Sequence, residues 1–210
     1  MLASGSPQRR AILEQLGIAF EVRPANIEEV YAGTPSEVVL ENALRKASSV
    51  ARDLDGRLVL GVDTTVVLGG RLYGKAGDEH EARDHLQRLS GRAHEVWSGV
   101  ALIVPGESGA RSRTACTTVW FRALDEETLG WYLRTGEWRE RAGSYAIQGK
   151  GAALVERVDG DYWNVVGLPV PVLLERDQAI PPLQDLLSEV LAIKTIWTRA
   201  TAPKKRSLAR

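Results

Sequence analysis

The stretch from residue 58 to residue 68 reads Leu58-Val-Leu-Gly-Val-Asp63-Thr-Thr-Val-Val-Leu68. Its aliphatic and β-branched side chains predict a strand buried inside a sheet, because a strand with one exposed face would alternate apolar and polar residues. A buried carboxylate is unfavourable unless it pairs with a cation or binds a metal. Asp63 is therefore a candidate functional group, although its position alone also fits a residue that ends one strand and caps a turn.

Helices and strands alternate on both sides of this strand. A helix is predicted over 7–16, and a second over 35–53 begins at a capping box formed by Thr34 and Glu37. The other predicted elements are a short strand at 18–22, a helix at 78–90, strands at 94–105, 113–121 and 152–159, and a helix at 124–134. This order predicts an α/β chain with a mixed sheet flanked by helices.

The last part of the chain is predicted to be helical and then frayed. A helix starts near Val170, and Pro181 opens a final amphipathic helix. The segment after residue 197 is basic and has no apolar periodicity, which favours a solvated end. We therefore expect one domain over residues 1–197 and a tail over 198–210.

Composition and charge exclude several classes of protein. The 210 residues carry 27 basic and 27 acidic side chains, so the formal net charge is zero, and 44% of them are hydrophobic. A disordered chain would be less hydrophobic and more charged, and a nucleic-acid-polymer binder would show a basic excess. No apolar run approaches the roughly 20 residues of a membrane helix. The single cysteine forms no intrachain disulfide, which fits the cytoplasm.

Other polar residues stand where a ligand could use them. Ser4 and Arg9 flank a predicted helix N-terminus, where backbone amides and a guanidinium attract anions, although a plain capped helix fits as well. Lys46 and Lys75 could pair with phosphate or remain on the surface. Gln148 lies in a glycine-rich stretch where the backbone could pass close to a ligand, or which could be a simple connecting loop.

Together these residues suggest chemistry on a phosphate. Carboxylates such as Glu29 and Asp63 suit Mg²⁺ or Mn²⁺, which prefer oxygen ligands. Phosphoryl or nucleotidyl transfer needs positive charge on the phosphates and a positioned water.

A set of motifs in this order resembles the Maf nucleotide pyrophosphatases. Each motif is weak alone, but their order and spacing from Leu2 to about Leu174 are specific. The motifs are Leu2-Ala-Ser-Gly-Ser-Pro-Gln-Arg-Arg, Gly61-Val-Asp-Thr, Gly74-Lys75, Ser90-Gly-Arg-Ala-His-Glu-Val, Thr135-Gly-Glu, Ala142-Gly-Ser-Tyr-Ala-Ile-Gln-Gly-Lys-Gly and Asn164-Val-Val-Gly-Leu-Pro.

The resemblance implies hydrolysis of a nucleoside triphosphate between the α and β phosphates, giving a monophosphate and pyrophosphate. It also implies a divalent cation (Mg²⁺, Mn²⁺ or Co²⁺), a cytoplasmic location, frequent homodimers, and a cleft between two lobes similar to that of inosine triphosphate pyrophosphatases. The family's catalytic carboxylate falls on Asp63, which would accept a proton from the attacking water. The other polar site residues of the family fall on Ser4, Arg9, Glu29, Lys46, Lys75 and Gln148.

The basic and the acidic residues among these positions would have different roles. Arg9, Lys46 and Lys75 would offset the charge of a triphosphate, and Glu29 with Asp63 would hold the metal. The expected partner is thus a nucleoside triphosphate, without a nucleic-acid polymer or a membrane.

The resemblance also bears on the base. The dTTP/UTP subfamily carries Thr after the catalytic Asp and Gln in the Ile-Gln-Gly motif, which Thr64 and Gln148 match. Gln8 stands where that subfamily usually has Arg. We therefore expect dTTP, UTP and modified pyrimidine nucleotides as substrates, with a 7-methyl-GTP pyrophosphatase or a broad-specificity member as the alternative.

A nucleotide-binding regulator of cell division with little catalysis is a rival from a different class. A structural module that uses the last helix and the basic tail is another.

Overall fold

A computed structural model describes residues 1–54 and 56–174. The final helix predicted from Pro181, the end of the domain at residue 197 and the basic tail lie outside the described residues.

The fold is built on a five-stranded sheet in the order β2-β1-β3-β4-β5, with every neighbouring pair antiparallel. The strands are β1 (Val59–Leu68), β2 (Arg71–Tyr73), β3 (Ala93–Ile103), β4 (Ala110–Phe121) and β5 (Val155–Asp159). Leu2 adds parallel bridges to Leu60 and Val22, so the sheet is mixed as predicted. The predicted strand at 18–22 is wrong, because only Val22 of this segment forms a bridge.

Strand β1 runs through Asp63 without a break. Asp63 pairs with Gly99 on β3, and nine consecutive pairs join the two strands from Val59 to Val67. The interpretation of Asp63 as the end of a strand that caps a turn is therefore wrong. A buried carboxylate in mid-strand requires a compensating partner.

Six helices lie around the sheet in the described part of the chain. They are α1 (Pro7–Gln15), α2 (Pro35–Ala51), α3 (Glu79–Leu89), α4 (Glu126–Thr135), α5 (Tyr162–Val166) and α6 (Val170–Leu173). The capping box at Thr34 and Glu37 is present, and the first four match the predicted helices within three residues at each end. Helix α5 was not predicted from the sequence. Residues 150–154 form a 3₁₀ turn instead of the start of the strand predicted over 152–159.

Helix α2 covers one face of the sheet at very close range. A Cβ atom built on Gly61 would lie 2.2 Å from the carbonyl oxygen of Ala43, and one on Gly99 would lie 2.2 Å from that of Val39. Only glycine lets the helix backbone approach so closely. This contact places the polar side chains of α2 directly over Asp63.

The opposite face of the sheet carries two apolar clusters with a polar row between them. Leu60 and Val62 pack in one cluster with α1, and Val66 packs in the other with α3 and α4. Thr64 lies between them on the same face of β1, hydrogen-bonded to Ser98 on β3. The combination of a sheet with flanking helices confirms the predicted α/β class, whereas the predicted cleft between two lobes stays a prediction. Within the described residues, no helix has both the length and the apolar character to span a membrane.

Candidate active site

The strongest polar cluster lies around Asp63. The Lys46 ammonium is 2.6 Å from Asp63 Oδ1 and 2.6 Å from Glu29 Oε1, so one cation bridges two carboxylates. Asp63 is 8% exposed, which makes this a largely buried ion pair. The three residues come from β1, α2 and the segment between α1 and α2, and the sequence predicted all three.

Asn42 completes this cluster and was missed by the sequence analysis. Its side-chain amide donates to Asp63 Oδ2 at 3.2 Å and to the carbonyl oxygen of Val30 at 3.0 Å. Its Oδ1 accepts from the Val30 N–H at 2.8 Å, so the segment that carries Glu29 is clamped to α2. A polar residue on the apolar face of α2, one turn before Lys46, is the signal that could have revealed it.

The electrostatics of the cluster follow from burial and from Lys46. Burial alone would raise the pKa of Glu29, but the hydrogen bond and charge of Lys46 outweigh burial and hold that pKa below its usual value. Burial lowers the pKa of Arg9, and the negative charges of Asp63 and Glu29 oppose that shift. Arg9 is therefore within electrostatic range of both carboxylates.

Arg9 joins a second group of predicted residues on the other face of β1. Its guanidinium donates to Ser4 Oγ at 2.8 Å, to Thr64 Oγ1 at 3.1 Å and to the carbonyl oxygen of Gly167 at 2.9 Å. Because Thr64 follows Asp63 on one strand, the two side chains point to opposite faces. The Arg9 group and the Lys46 cluster are thus back to back across β1.

The two groups meet at an opening in the sheet. On the side away from β3, β1 bridges to Leu2 at Leu60 and pairs with β2 only from Val66 onward. Between these contacts, residues 62–65 of β1 have no second neighbouring strand within the described part of the chain. A ligand at this free edge could contact groups on both faces.

Lys75 is not in contact with either group. Its ammonium pairs with Glu140 Oε2 at 2.6 Å, and both side chains are largely exposed. Its charge nevertheless contributes to lowering the pKa of Glu29. The structure therefore places Lys75 near the cluster, on a separate surface ion pair.

Gln8 and Gln148 line one pocket. The other lining residues are Arg141, Tyr145, Ala146, Ile147, Val165 and Val166. Thr64 does not line this pocket. Its contacts are with Arg9 and Ser98, so the three predicted specificity residues are not all together.

The loop that carries Gln148 is fixed to the rest of the fold. The Gly143 N–H lies 3.0 Å from the carbonyl oxygen of Tyr73, and the Ala146 N–H donates to the Tyr132 hydroxyl at 2.9 Å. Ser144 adopts a φ of 62°, and its hydroxyl is hydrogen-bonded to buried His85. The pocket is therefore built by a defined loop conformation.

The carboxylates fit a divalent cation. Glu29 and Asp63 turn an oxygen each toward the same ammonium, which shows that a cation is accommodated between them. Among the described residues there is no cluster of three or more His, Cys, Asp or Glu side chains suited to a metal. Mg²⁺ commonly binds through one or two carboxylates together with substrate phosphates, so two are sufficient.

Comparison with known proteins identifies the family. The profile of the Maf-like proteins matches residues 1–176. This chain belongs to the Maf-like protein family. The match covers every described element of the fold, so the resemblance drawn from the motifs is confirmed.

Three curated relatives of this Maf-like chain carry the same name. A dTTP/UTP pyrophosphatase of Symbiobacterium thermophilum is 46% identical over 172 residues, which cover 81% of this chain and 88% of that protein. Proteins of the same name from Bacillus cereus and Dictyoglomus thermophilum are 42% and 43% identical, over 83% and 81% of this chain and 91% and 90% of theirs. Among solved structures, the Staphylococcus aureus Ham1 protein matches with a TM-score of 0.42 at 15% identity, over 57% of this chain and 70% of that one.

Proposed function

We propose that this protein is a nucleoside triphosphate pyrophosphatase that cleaves the α–β phosphate bond of dTTP, UTP and modified pyrimidine nucleotides. The observation that carries the proposal is the Glu29–Lys46–Asp63 cluster at the free edge of β1. The name shared by the relatives supports the same activity and the same bases.

The cations around the opening bind the phosphates in this proposal. Arg9 is held in place by three hydrogen bonds, so it presents a fixed charge. Lys46 and Lys75 now pair with carboxylates and would turn to phosphate oxygens when substrate binds. Ser4 fixes one end of Arg9 and offers a hydroxyl beside it. Positive charge at these positions stabilises the negative charge that develops on the leaving pyrophosphate.

Asp63 acts as the general base. Its Oδ1 faces the cation position that Lys46 now occupies, whereas its Oδ2 accepts one hydrogen bond from Asn42 and keeps a second lone pair for the proton of the water. Water then forms a bond to the α-phosphorus, and its proton passes to Asp63. The bond between the α-phosphorus and the oxygen that bridges to the β-phosphate breaks. The products are a nucleoside monophosphate and pyrophosphate.

A divalent cation (Mg²⁺, Mn²⁺ or Co²⁺) is part of the proposal, with Glu29 and Asp63 as its protein ligands. The ion would supply Lewis-acid polarisation of the phosphate oxygens. Lys46 limits repulsion between the two carboxylates when the ion is not bound.

Gln8 and Gln148 recognise the base in this proposal, because both line the pocket next to Arg9. A side-chain amide carries one acceptor and two donors, so either Gln can bond the N3–H and a carbonyl of uracil or thymine. Thr64 contributes through Arg9, whose guanidinium it contacts directly.

A triphosphate panel tests the proposal. Purified protein with Mg²⁺ or Mn²⁺ is expected to turn over UTP and dTTP faster than CTP, ITP and 7-methyl-GTP. Preference for 7-methyl-GTP would move the chain to the alternative subfamily, and equal rates would indicate a broad-specificity enzyme. Nucleotide binding by calorimetry with no turnover of any compound would favour the regulator of cell division.

A cytoplasmic location and a homodimer belong to the same proposal and stay predictions. The single cysteine, Cys116, is a free thiol, which fits a reducing compartment. Light scattering on the full chain tests the dimer, and fractionation of the source cells tests the location.

A further inference from the structure

Arg141 lines the pocket that holds Gln8 and Gln148, and the proposed function gives it no task. It lies at the start of the loop that carries Gln148. Its side chain is half-buried, and its Nε atom is buried with no hydrogen-bond partner in the described part of the chain. A buried guanidinium N–H without an acceptor is unfavourable, so such a group needs an explanation.

The nearby carboxylates do not satisfy this guanidinium. Glu137 and Glu140 are its closest acidic neighbours in electrostatic terms. Glu137 accepts from the backbone N–H groups of Lys150 and Gly151, and Glu140 accepts from Lys75. Among the described residues, neither carboxylate forms a hydrogen bond or an ion pair with Arg141.

The other cations of the site contrast with Arg141. Arg9 makes three hydrogen bonds, Lys46 bridges two carboxylates, and Lys75 has an ion pair. Arg9 and Lys46 lie at the free edge of β1 and Lys75 lies on a surface ion pair nearby, whereas Arg141 lines the pocket with Tyr145, Ile147 and two valines. Because its Nε donor is unpaired, Arg141 is suited to an acceptor that a ligand brings into this pocket.

We propose that Arg141 is a specificity-determining residue that donates hydrogen bonds to the 4-carbonyl oxygen of uracil or thymine. The inference rests on the proposed function, which puts the base in this pocket. A guanidinium has five N–H donors and no acceptor. Uracil and thymine present an acceptor at position 4, whereas cytosine presents an amino group that would face the guanidinium donor to donor.

This assignment also explains how residue 8 can be uncharged. Gln8 brings an amide to the pocket, and its Oε1 already accepts from the Ser6 hydroxyl at 3.1 Å. Arg141 supplies positive charge to the pocket from a distant part of the sequence. Cytosine is then disfavoured because its amino group and the guanidinium are both donors. Specificity therefore has a repulsive element as well as an attractive one.

Arg141→Gln tests the assignment, because glutamine replaces a donors-only group with one that also accepts. The ratio of kcat/KM for UTP to that for CTP is expected to fall roughly tenfold to a hundredfold, the range of one good bidentate contact to a base. Arg139→Gln is the matched control, since Arg139 is exposed, carries the same charge on the same segment and stacks on Trp138. It is expected to leave the ratio unchanged.

Binding measurements separate the base from the phosphates and do not require turnover. By calorimetry, Arg141→Gln is expected to weaken a non-hydrolysable α,β-methylene UTP analogue by the same factor and to change the affinity for inorganic tripolyphosphate less than twofold. Equal weakening of both ligands would make Arg141 a phosphate ligand and overturn the proposal. No change for either ligand would overturn it as well.

A second variant is used if Arg141→Gln does not fold, which circular dichroism would show. Arg141→Lys keeps a donors-only cation but loses the planar fork, so it should retain preference for UTP over CTP with a weaker analogue affinity. Reversal of the preference in this variant would contradict the assignment. If wild-type protein hydrolyses no triphosphate, the proposed function fails, whereas the two binding experiments still decide the role of Arg141.

Discussion

At the scale of residues, the ammonium group of Lys46 holds the two carboxylates of the site together. Glu29 and Asp63 both lie within hydrogen-bond distance of the Lys46 Nζ atom, although two carboxylates alone would repel each other. The ion pair satisfies the buried charge of Asp63 until substrate binds. Removal of either partner leaves an uncompensated charge, and the consequences differ between partners.

Asp63→Asn is expected to reduce kcat by at least about a hundredfold, because an amide cannot accept the proton of the attacking water. Nucleotide binding should persist, since Arg9 and Lys75 are unchanged. Steady-state kinetics and calorimetry with the UTP analogue measure the two effects. Asp53→Asn, on an exposed ion pair with Arg23, is the control. A kcat near the wild-type value in Asp63→Asn would remove Asp63 from the role of base.

Lys46→Met is expected to strengthen the binding of Mn²⁺ to the protein without nucleotide, because the ammonium occupies the space between the two carboxylates. The same variant should lose activity, since it lacks one phosphate ligand. Calorimetric titration with Mn²⁺ measures the affinity. Arg45→Met removes an exposed charge from the neighbouring position and should leave the affinity unchanged. Unchanged or weaker Mn²⁺ binding in Lys46→Met would argue against a shared cation position.

Single residues were predictable from the sequence where their environment conflicts with their polarity. Asp63 in a β-branched strand could be recognised in this way, and the family resemblance then indicated Glu29 and Lys46. Asn42 and Arg141 were missed, because one polar residue on a helix or an arginine in a loop is common on protein surfaces. Their roles depend on what packs against them, which no local pattern encodes.

At the scale of elements, the contact between α2 and the sheet holds the site together. Asn42 and Lys46 reach Asp63 because Gly61 and Gly99 allow the helix backbone to lie on β1 and β3. The geometry of the cluster therefore depends on two positions that carry no functional group.

Gly99→Ala is expected to lower the free energy of unfolding by about 3 kcal/mol, because the new methyl group would overlap the backbone of Val39. Gly74→Ala is the control, since the space around that position is open. Urea denaturation measures both variants. A change below about 0.5 kcal/mol in Gly99→Ala, the size typical of a neutral surface substitution, would show that α2 is not packed as described.

Elements with a strong periodic pattern and a cap were predictable, as the match of α1 and α2 shows. The predicted strand at 18–22 is wrong because the only backbone bridge of this segment joins Val22 to Leu2 in the described part of the chain. Its β-branched and aromatic residues therefore have no strand beside them to pair with. Strand β2 has only three residues, and helix α5 only five, which is too short for a periodic signal. Whether such short elements form depends on how the strands pair across the sheet.

At the scale of the whole molecule, burial of histidine couples stability to pH. His94 is 2% exposed, and burial lowers its pKa to about 4. Burial lowers the pKa of His85 in the same direction. In the unfolded chain a histidine takes up a proton near pH 6.5, whereas folded His94 stays neutral down to about pH 4.

The free energy of unfolding is therefore expected to be fully retained above pH 6.5 and to fall by about 3 kcal/mol between pH 6.5 and pH 4 on account of His94. Urea denaturation at a series of pH values measures the slope. His94→Gln should flatten the slope in this window, whereas His80→Gln, at an exposed position, should not. An identical slope in wild type and His94→Gln would contradict the assigned burial effect.

The zero net charge of the chain gives no indication of the charged site. The site brings Arg9 and Lys46 from distant parts of the sequence close to two carboxylates, with Lys75 on a surface ion pair nearby, and this local arrangement cannot be read from the net charge. Net charge only removed the simplest argument for a nucleic-acid polymer as partner, and it carried no information about a small anionic ligand.

Identification of the products of UTP hydrolysis tests the central claim most directly. Phosphorus NMR on the purified protein with UTP and Mg²⁺ or Mn²⁺ should show UMP and pyrophosphate in equal amounts, with no UDP. Formation of UDP and orthophosphate would contradict cleavage between the α and β phosphates.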